Sequence, residues 1–160
     1  MLRKALLALV AALFALPTFA APQYTVTHRN NAMSDIVTAI GTTGYLMIFT
    51  GSAPASVATV DSGTELVALP LSATAGTVAS GVLTFNAITS EAAVATGAAG
   101  HFLICTTSSV VNCVAASSTT RVAQGTVAVS GGDINFSGGV SFTSGETISL
   151  SSLTLTANGA

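Results

Sequence analysis

Charge is what this sequence has least of. Among its 160 residues, four Lys and Arg stand against six Asp and Glu, together 6 % of the chain, where an average soluble domain carries roughly 25 %. Arg3 and Lys4 fall in a leading segment, so a chain without that segment keeps only Arg29 and Arg121, has no lysine, and carries a net charge of −4. Two cations cannot neutralise a run of phosphates, which excludes nucleic acid as a partner through counterion release and anionic membrane surfaces likewise. Tryptophan is absent and Tyr24 and Tyr45 are the only tyrosines, so aromatic sugar platforms are scarce. A glycosidase also needs two carboxylates across a cleft, and Asp35, Asp61, Glu65, Glu91, Asp133 and Glu146 are dispersed. The imidazoles are His28 and His101 alone. No GxSxG elbow accompanies them, and His101, beside Phe102, reads as a histidine at a strand boundary. No catalytic, cofactor-binding or metal site is expected.

Apolar residues make up 50 % of the chain, which excludes a disordered polymer and suits one domain with a real core. Residues 1–20 have the three parts of a secretory signal peptide: Met-Leu-Arg-Lys, the apolar run Ala5 to Leu16, then Pro17-Thr18-Phe19-Ala20. Cleavage is expected between Ala20 and Ala21. Pro17 ends the run short of the roughly 20 residues that span a bilayer, so no stable membrane span is expected once the leader is gone. The chain divides into this leader, an extension at 21–28, and a domain at 29–160. Cys105 and Cys113 lie in the exported part, where an oxidising compartment makes them a disulfide, with Thr106 to Ser109 as a hairpin tip between its arms. Two thiols without a nearby His or third Cys make a poor zinc site, and the spacing is not the CxxC of a redox centre.

Met33, Ile36, Val37 and Ile40 recur at i, i+3, i+4 and i+7 and predict a short amphipathic helix, capped by Asn30 or Asn31 and ended by Gly41. So short a helix must pack against something, expected to be a sheet. From Gly44 onward, β-rich runs alternate with Gly, Ser, Pro and Asp at intervals of about ten residues. Strands are expected at 45–50, 65–71, 81–87, 100–106, 110–114, 122–129, 133–136, 140–143 and 146–156, with a surface crossing or irregular edge between Ile88 and Gly100. Ile148 and Leu150 differ in parity from Leu153 and Leu155, which calls for a bend at Ser151-Ser152. Gly131-Gly132-Asp133 reads as a turn entering a strand. The fold expected is all-β, an antiparallel β-sandwich, jelly-roll-like or Ig-like, with one short N-terminal α-helix. Its outward positions carry Ser and Thr, and such uncharged edges do little to oppose pairing with a neighbour's strand.

An ordered series of segments resembles a family of small phage virion proteins, found among tail and other particle components. The series runs from Arg29-Asn30-Asn31-Ala32-Met33-Ser34-Asp35-Ile36 through Gly44-Tyr45-Leu46-Met47-Ile48-Phe49-Thr50-Gly51-Ser52-Ala53-Pro54 and Glu65-Leu66-Val67-Ala68-Leu69. It continues with Gly81-Val82-Leu83-Thr84-Phe85-Asn86-Ala87-Ile88-Thr89 and Ala95-Thr96-Gly97-Ala98-Ala99-Gly100-His101-Phe102. It closes with Gly125-Thr126-Val127, Gly132-Asp133-Ile134-Asn135-Phe136 and the stretch from Gly145 to Thr156. The leader, residues 21–28 and the cysteine pair lie outside the resemblance. It implies a non-enzymatic structural subunit that associates with itself or with other virion or surface proteins, either in a virion or, given the leader, in the periplasm or outside the cell. The leader and cysteines also suit a secreted bacterial adhesin or recognition module on the same sandwich.

Overall fold

A computed structural model describes residues 22–116 and 119–157; the leader at 1–20 and its cleavage point at Ala20 and Ala21 lie outside the described residues. Helix α1 spans Val26–Ile40 and therefore begins within the stretch set apart as an extension. Its cap is not Asn30 or Asn31 but Thr25, whose backbone is extended and whose hydroxyl accepts the His28 N–H at 3.4 Å. Asn30 is drawn into the helix because its Oδ1 accepts the Gly81 N–H at 2.7 Å, which ties the helix to a hairpin turn. Gly41 ends the helix and donates its N–H to the Val37 carbonyl. Met33 and Ile40 are buried, and Ile36 and Val37 pack half-buried against the same core.

The rest of the chain is predominantly strand, arranged in several sheets of which one is curled into a half-barrel. In chain order the strands are β1 (Tyr45–Thr50), β2 (Glu65–Pro70), β3 (Gly76–Ala79), β4 (Val82–Phe85), β5 (Glu91–Ala92), β6 (Gly97–Cys105), β7 (Arg121–Ala128), β8 (Ile134–Asn135), β9 (Ser141–Phe142), β10 (Thr147–Ile148) and β11 (Thr154–Thr156). The main sheet has the order β2-β1-β6-β7-β8, with β9 also paired to β6. All its pairings are antiparallel except β7 with β8. A second sheet runs β11-β4-β3, and β5 pairs with β10. Leu46, Ile48, Phe102 and Ile104 from one face of the main sheet meet Leu83 and Phe85 of β4 in a single core cluster, to which α1 adds Met33 and Ile40.

Three expectations change. Val110–Val114 is a helix, α2, and not the second arm of a hairpin. The Cys113 N–H bonds back to the Ser109 carbonyl at 3.0 Å, and this single turn brings Cys113 to 6.0 Å from Cys105 between Cα atoms, close enough for the disulfide that joins them. The stretch 146–156 is two strands, β10 and β11; the break turns both Ile148 and Leu153 inward and so accommodates their difference in parity. Strand β3 emerges where none was expected, because Gly76-Thr77-Val78-Ala79 offers too few large side chains to show an alternation, and the stretch between Ile88 and Gly100, read as a surface crossing or irregular edge, contains the two-residue strand β5 and the start of β6. Ser80 and Gly81, both at positive φ, make the tight β3–β4 hairpin turn.

Candidate functional site

Because strand side chains alternate, the main sheet presents a second face, with Met47 and Phe49 of β1 and Leu103 and Cys105 of β6 forming a smaller cluster with Cys113. Two chain segments cover that face. One is residues 51–64, a loop of the Ω kind whose ends are closed by the Thr50 N–H on the Thr64 carbonyl and the Thr64 N–H on Thr50 Oγ1, each 3.0 Å. The other is the segment that follows β6 and carries α2.

Under the loop lies His101, fully buried in the interior of β6 and not at the strand boundary expected. Register places it opposite Phe49 of β1, and the two rings stack with centroids 5.5 Å apart and planes 16° from parallel. Its Nδ1 is 3.1 Å from the Gly51 carbonyl, and its Nε2 is 2.8 Å from Asp61 Oδ2. Asp61 Oδ1 accepts the Gly63 N–H at 2.8 Å, and the Asp61 N–H bonds to the Val114 carbonyl at 2.9 Å. The imidazole and carboxylate side chains are 0 % and 2 % exposed. Gly100, one residue earlier, lies so close to the Gly51 carbonyl oxygen that a Cβ there would collide with it. The sequence needs glycine at that point to let the loop's first carbonyl approach the ring.

Arg121 is the second buried charge, 6 % exposed at the start of β7. Its Nε and Nη2 both donate to the Cys113 carbonyl, at 3.0 and 2.9 Å, and its Nη1 donates to the Thr59 carbonyl at 2.8 Å. Desolvation by burial pulls the guanidinium below its ordinary range, and the negative charge of Asp61 opposes that shift. Gln124 completes the clasp, donating Nε2 to the Pro54 carbonyl at 2.7 Å. On the same face, Glu65 at the start of β2 sits opposite Phe49, and burial pushes its carboxyl up from the ordinary range.

Both ring nitrogens of His101 are used within the protein, so the His101–Asp61 pair offers no nitrogen to a substrate; it fastens a loop. Cys105 and Cys113, expected from sequence as a disulfide, stand at the edge of this cluster. Met33, Ile36, Val37 and Ile40 belong to the opposite core. Asp61, Arg121 and Gln124 were not marked out in the sequence. The only signal pointing to them is scarcity: a polymer this poor in charge that keeps an arginine among apolar strands has a local use for it. Among the described residues, no three His, Cys, Asp or Glu side chains come together as metal ligands, and no helix is long and apolar enough to cross a membrane.

The described residues also form surface hollows. One, of about 410 Å³, is open and rimmed by Ser, Gly and Thr around Phe136, Phe142 and Glu146. Another, of about 490 Å³, lies between α1 and β11 and is lined by Tyr24, His28, Arg29, Ala32 and Met33 on one side and by Thr156 and Ala157 on the other. Comparison of the chain with protein-family models, with curated proteins and with solved structures finds no match.

Proposed function

We propose that this chain is a non-enzymatic structural subunit of a phage-derived particle or surface assembly, exported or virion-associated, built as a β-sandwich that multimerises through its sheet edges or helix face. The observation that carries the reading is the use made of its buried polar side chains. His101, Asp61 and Arg121 are all spent on pinning loops to one sheet, so the polar chemistry of the interior serves rigidity. What is left for other molecules is a neutral, hydroxyl-rich exterior, the outermost strands β3 and β11 of the smaller sheet, and an apolar hollow beside α1. The ordered resemblance to small virion proteins points the same way.

The test is light scattering coupled to size-exclusion chromatography over a concentration series, with mass spectrometry of particles purified from the native source. The expected result is concentration-dependent multimers and the chain in the particle fraction. A monodisperse monomer at every concentration, absent from particles, overturns the proposal. The Cys105–Cys113 disulfide favours one second reading, a secreted adhesin or recognition module; oxidised chain starting at Ala21 and found only outside particles would select it.

A further inference from the structure

Strand β11 lies at an edge of the smaller sheet, with β4 as its one neighbour among the described residues. The bonds between the two fix which way the backbone groups of β11 point. The Phe85 N–H donates to the Leu153 carbonyl at 3.0 Å and the Ala157 N–H to the Gly81 carbonyl at 2.9 Å, and Leu155 stands opposite Leu83. Hydrogen-bonded pairs alternate with non-bonded ones along an antiparallel ladder. Residues 153, 155 and 157 therefore bond toward β4, and the N–H and C=O groups of Thr154 and Thr156 point away from it. No described residue takes these four groups.

Nothing on this edge opposes a further strand. The edges of monomeric sheets are blunted by charge, proline or a bulge, yet from Leu150 to Ala157 the chain has no charged residue and no proline, and the register of β11 on β4 is unbroken. Other edges are better covered. At β2 the Leu66 and Pro70 carbonyls already accept the Val94 and Thr89 N–H groups, and α1 packs on β3 and β4 but stands off from β11, leaving the hollow walled by Thr156 and Ala157.

The sequence of the edge is complementary to itself. Thr154-Leu155-Thr156 reads the same in both directions, so two copies related by a two-fold axis at Leu155 meet like for like. Thr154 then exchanges both backbone bonds with the partner's Thr156, and the same exchange repeats across the axis, which uses all four outward groups of each copy. The two Leu155 side chains come opposite each other in the non-hydrogen-bonded pair, where side chains approach most closely. Leu155 is half-buried against the core, and its counterpart closes the flank left open. A slip of one residue turns Leu155 out and the threonines in, so the register is unique.

We infer that β11 of one copy pairs antiparallel with β11 of a second in this register, joining two three-stranded sheets into one of six, in the order β3-β4-β11-β11-β4-β3. This rests on the multimeric reading above and names its interface. Such a contact is isologous and closes on itself, so it builds dimers, and any larger particle is assembled from them through other surfaces. Three paired residues bury little area, so the dimer is weak and depends on concentration.

Cysteine crosslinking reads the register. The two native cysteines are joined to each other, so an introduced thiol is the only free one. In Leu155→Cys the two thiols face each other across the axis on Cα atoms about 4.5 Å apart, within reach of a disulfide; in Thr154→Cys they lie diagonally, about 7–8 Å apart, and out of reach. The full chain carrying Leu155→Cys, treated with diamide as oxidant, is expected to form covalent dimer at least tenfold faster than Thr154→Cys, with circular dichroism establishing that both are folded. If Leu155→Cys disturbs folding, a charge pair at the exposed threonines carries the test. The double variant T154K/T156K sets like charges opposite each other and is expected to weaken dimerisation about tenfold or more in light scattering, while T154K/T156E sets lysine against glutamate and is expected to restore it. Crosslinking no faster at 155 than at 154, or a T154K/T156K chain that associates like wild type, overturns the β11 contact and leaves the structural-subunit reading intact. A wild type that stays monomeric throughout overturns both.

Discussion

Replacing Asp61 with Ala removes the acceptor for His101 Nε2 and for the Gly63 N–H, bonds of 2.8 Å each in a site where the two side chains are 0 % and 2 % exposed. Breaking a buried pair by deleting one partner costs about 3–5 kcal/mol, because the other is left desolvated and unpaired. For a domain of this size that corresponds to a drop in Tm of about 10–15 °C. Asp61→Asn separates hydrogen bonding from charge. The amide oxygen still accepts from Gly63, and its N–H2 donates to Nε2, so the ring accepts there and donates from Nδ1 to the Gly51 carbonyl. Every bond survives, and only the charge assistance is lost, about 1 kcal/mol. Thermal and denaturant melts of the two variants give the stabilities, and imidazole nitrogen shifts give the tautomer. A Tm for Asp61→Ala within about 2 °C of wild type would mean that the pair does not fasten the loop. Equal losses in the two variants would refute the hydrogen-bond account.

Glu65 gives a pH dependence of definite sign. Burial raises its carboxyl in the folded state, so the folded chain holds that proton more tightly than the unfolded one, and the contribution is fully present below the ordinary carboxylate range and lost as pH rises through the raised value. Glu65→Gln should therefore melt higher than wild type at neutral pH and lose that advantage in acid, as melts at the two pH values would show. Replacing Cys105 and Cys113 together by Ala, which opens a ring of sequence separation 8, should cost about 2.5 kcal/mol by loop-closure entropy. Limited proteolysis should then cut first in the α2 segment and the 51–64 loop, because the Cys113 and Thr59 carbonyls share Arg121; unchanged cleavage of 51–64 would show that the two covers are not coupled. Gly100→Ala drives a Cβ into the Gly51 carbonyl and should lower Tm by several degrees, about 1–3 kcal/mol for overpacking; a Tm equal to wild type would count against that close approach.

The parts of this fold that could be read from sequence are those whose side chains repeat. Leu46-Met47-Ile48-Phe49 and Phe102-Leu103-Ile104 predict buried strands because a sheet covered on both faces is apolar at every position. The helix was visible through Met33 and Ile40, but its start was misplaced: Asn30 and Asn31 are common cap residues, and nothing local reveals that Asn30 is needed 51 residues away by Gly81. Val110-Val111-Asn112-Cys113-Val114 reads as β by propensity and is helical because a covalent ring overrides it. The cysteine pairing was accessible since it needs only two residues and a compartment. The His101–Asp61–Arg121 clasp was not: its members are 20 to 60 residues apart, and each is flanked by unremarkable neighbours.

The fastening of the 51–64 loop also dictates an order of events. Gly51 and Asp61 bind His101, Thr59 binds Arg121, and Pro54 binds Gln124, at sequence separations of 50, 40, 62 and 70. When the loop leaves the ribosome, none of its anchors has yet been made. Contacts of such long range pay their loop-closure entropy before they return anything, so the loop cannot settle until β6 has paired with β1 and β7 with β6. Until then Met47, Phe49 and the arriving Leu103 present a bare apolar surface to the surrounding solution. The nascent chain is thus most exposed to wrong partners, its own copies included, in the interval between the synthesis of Phe49 and that of Gln124.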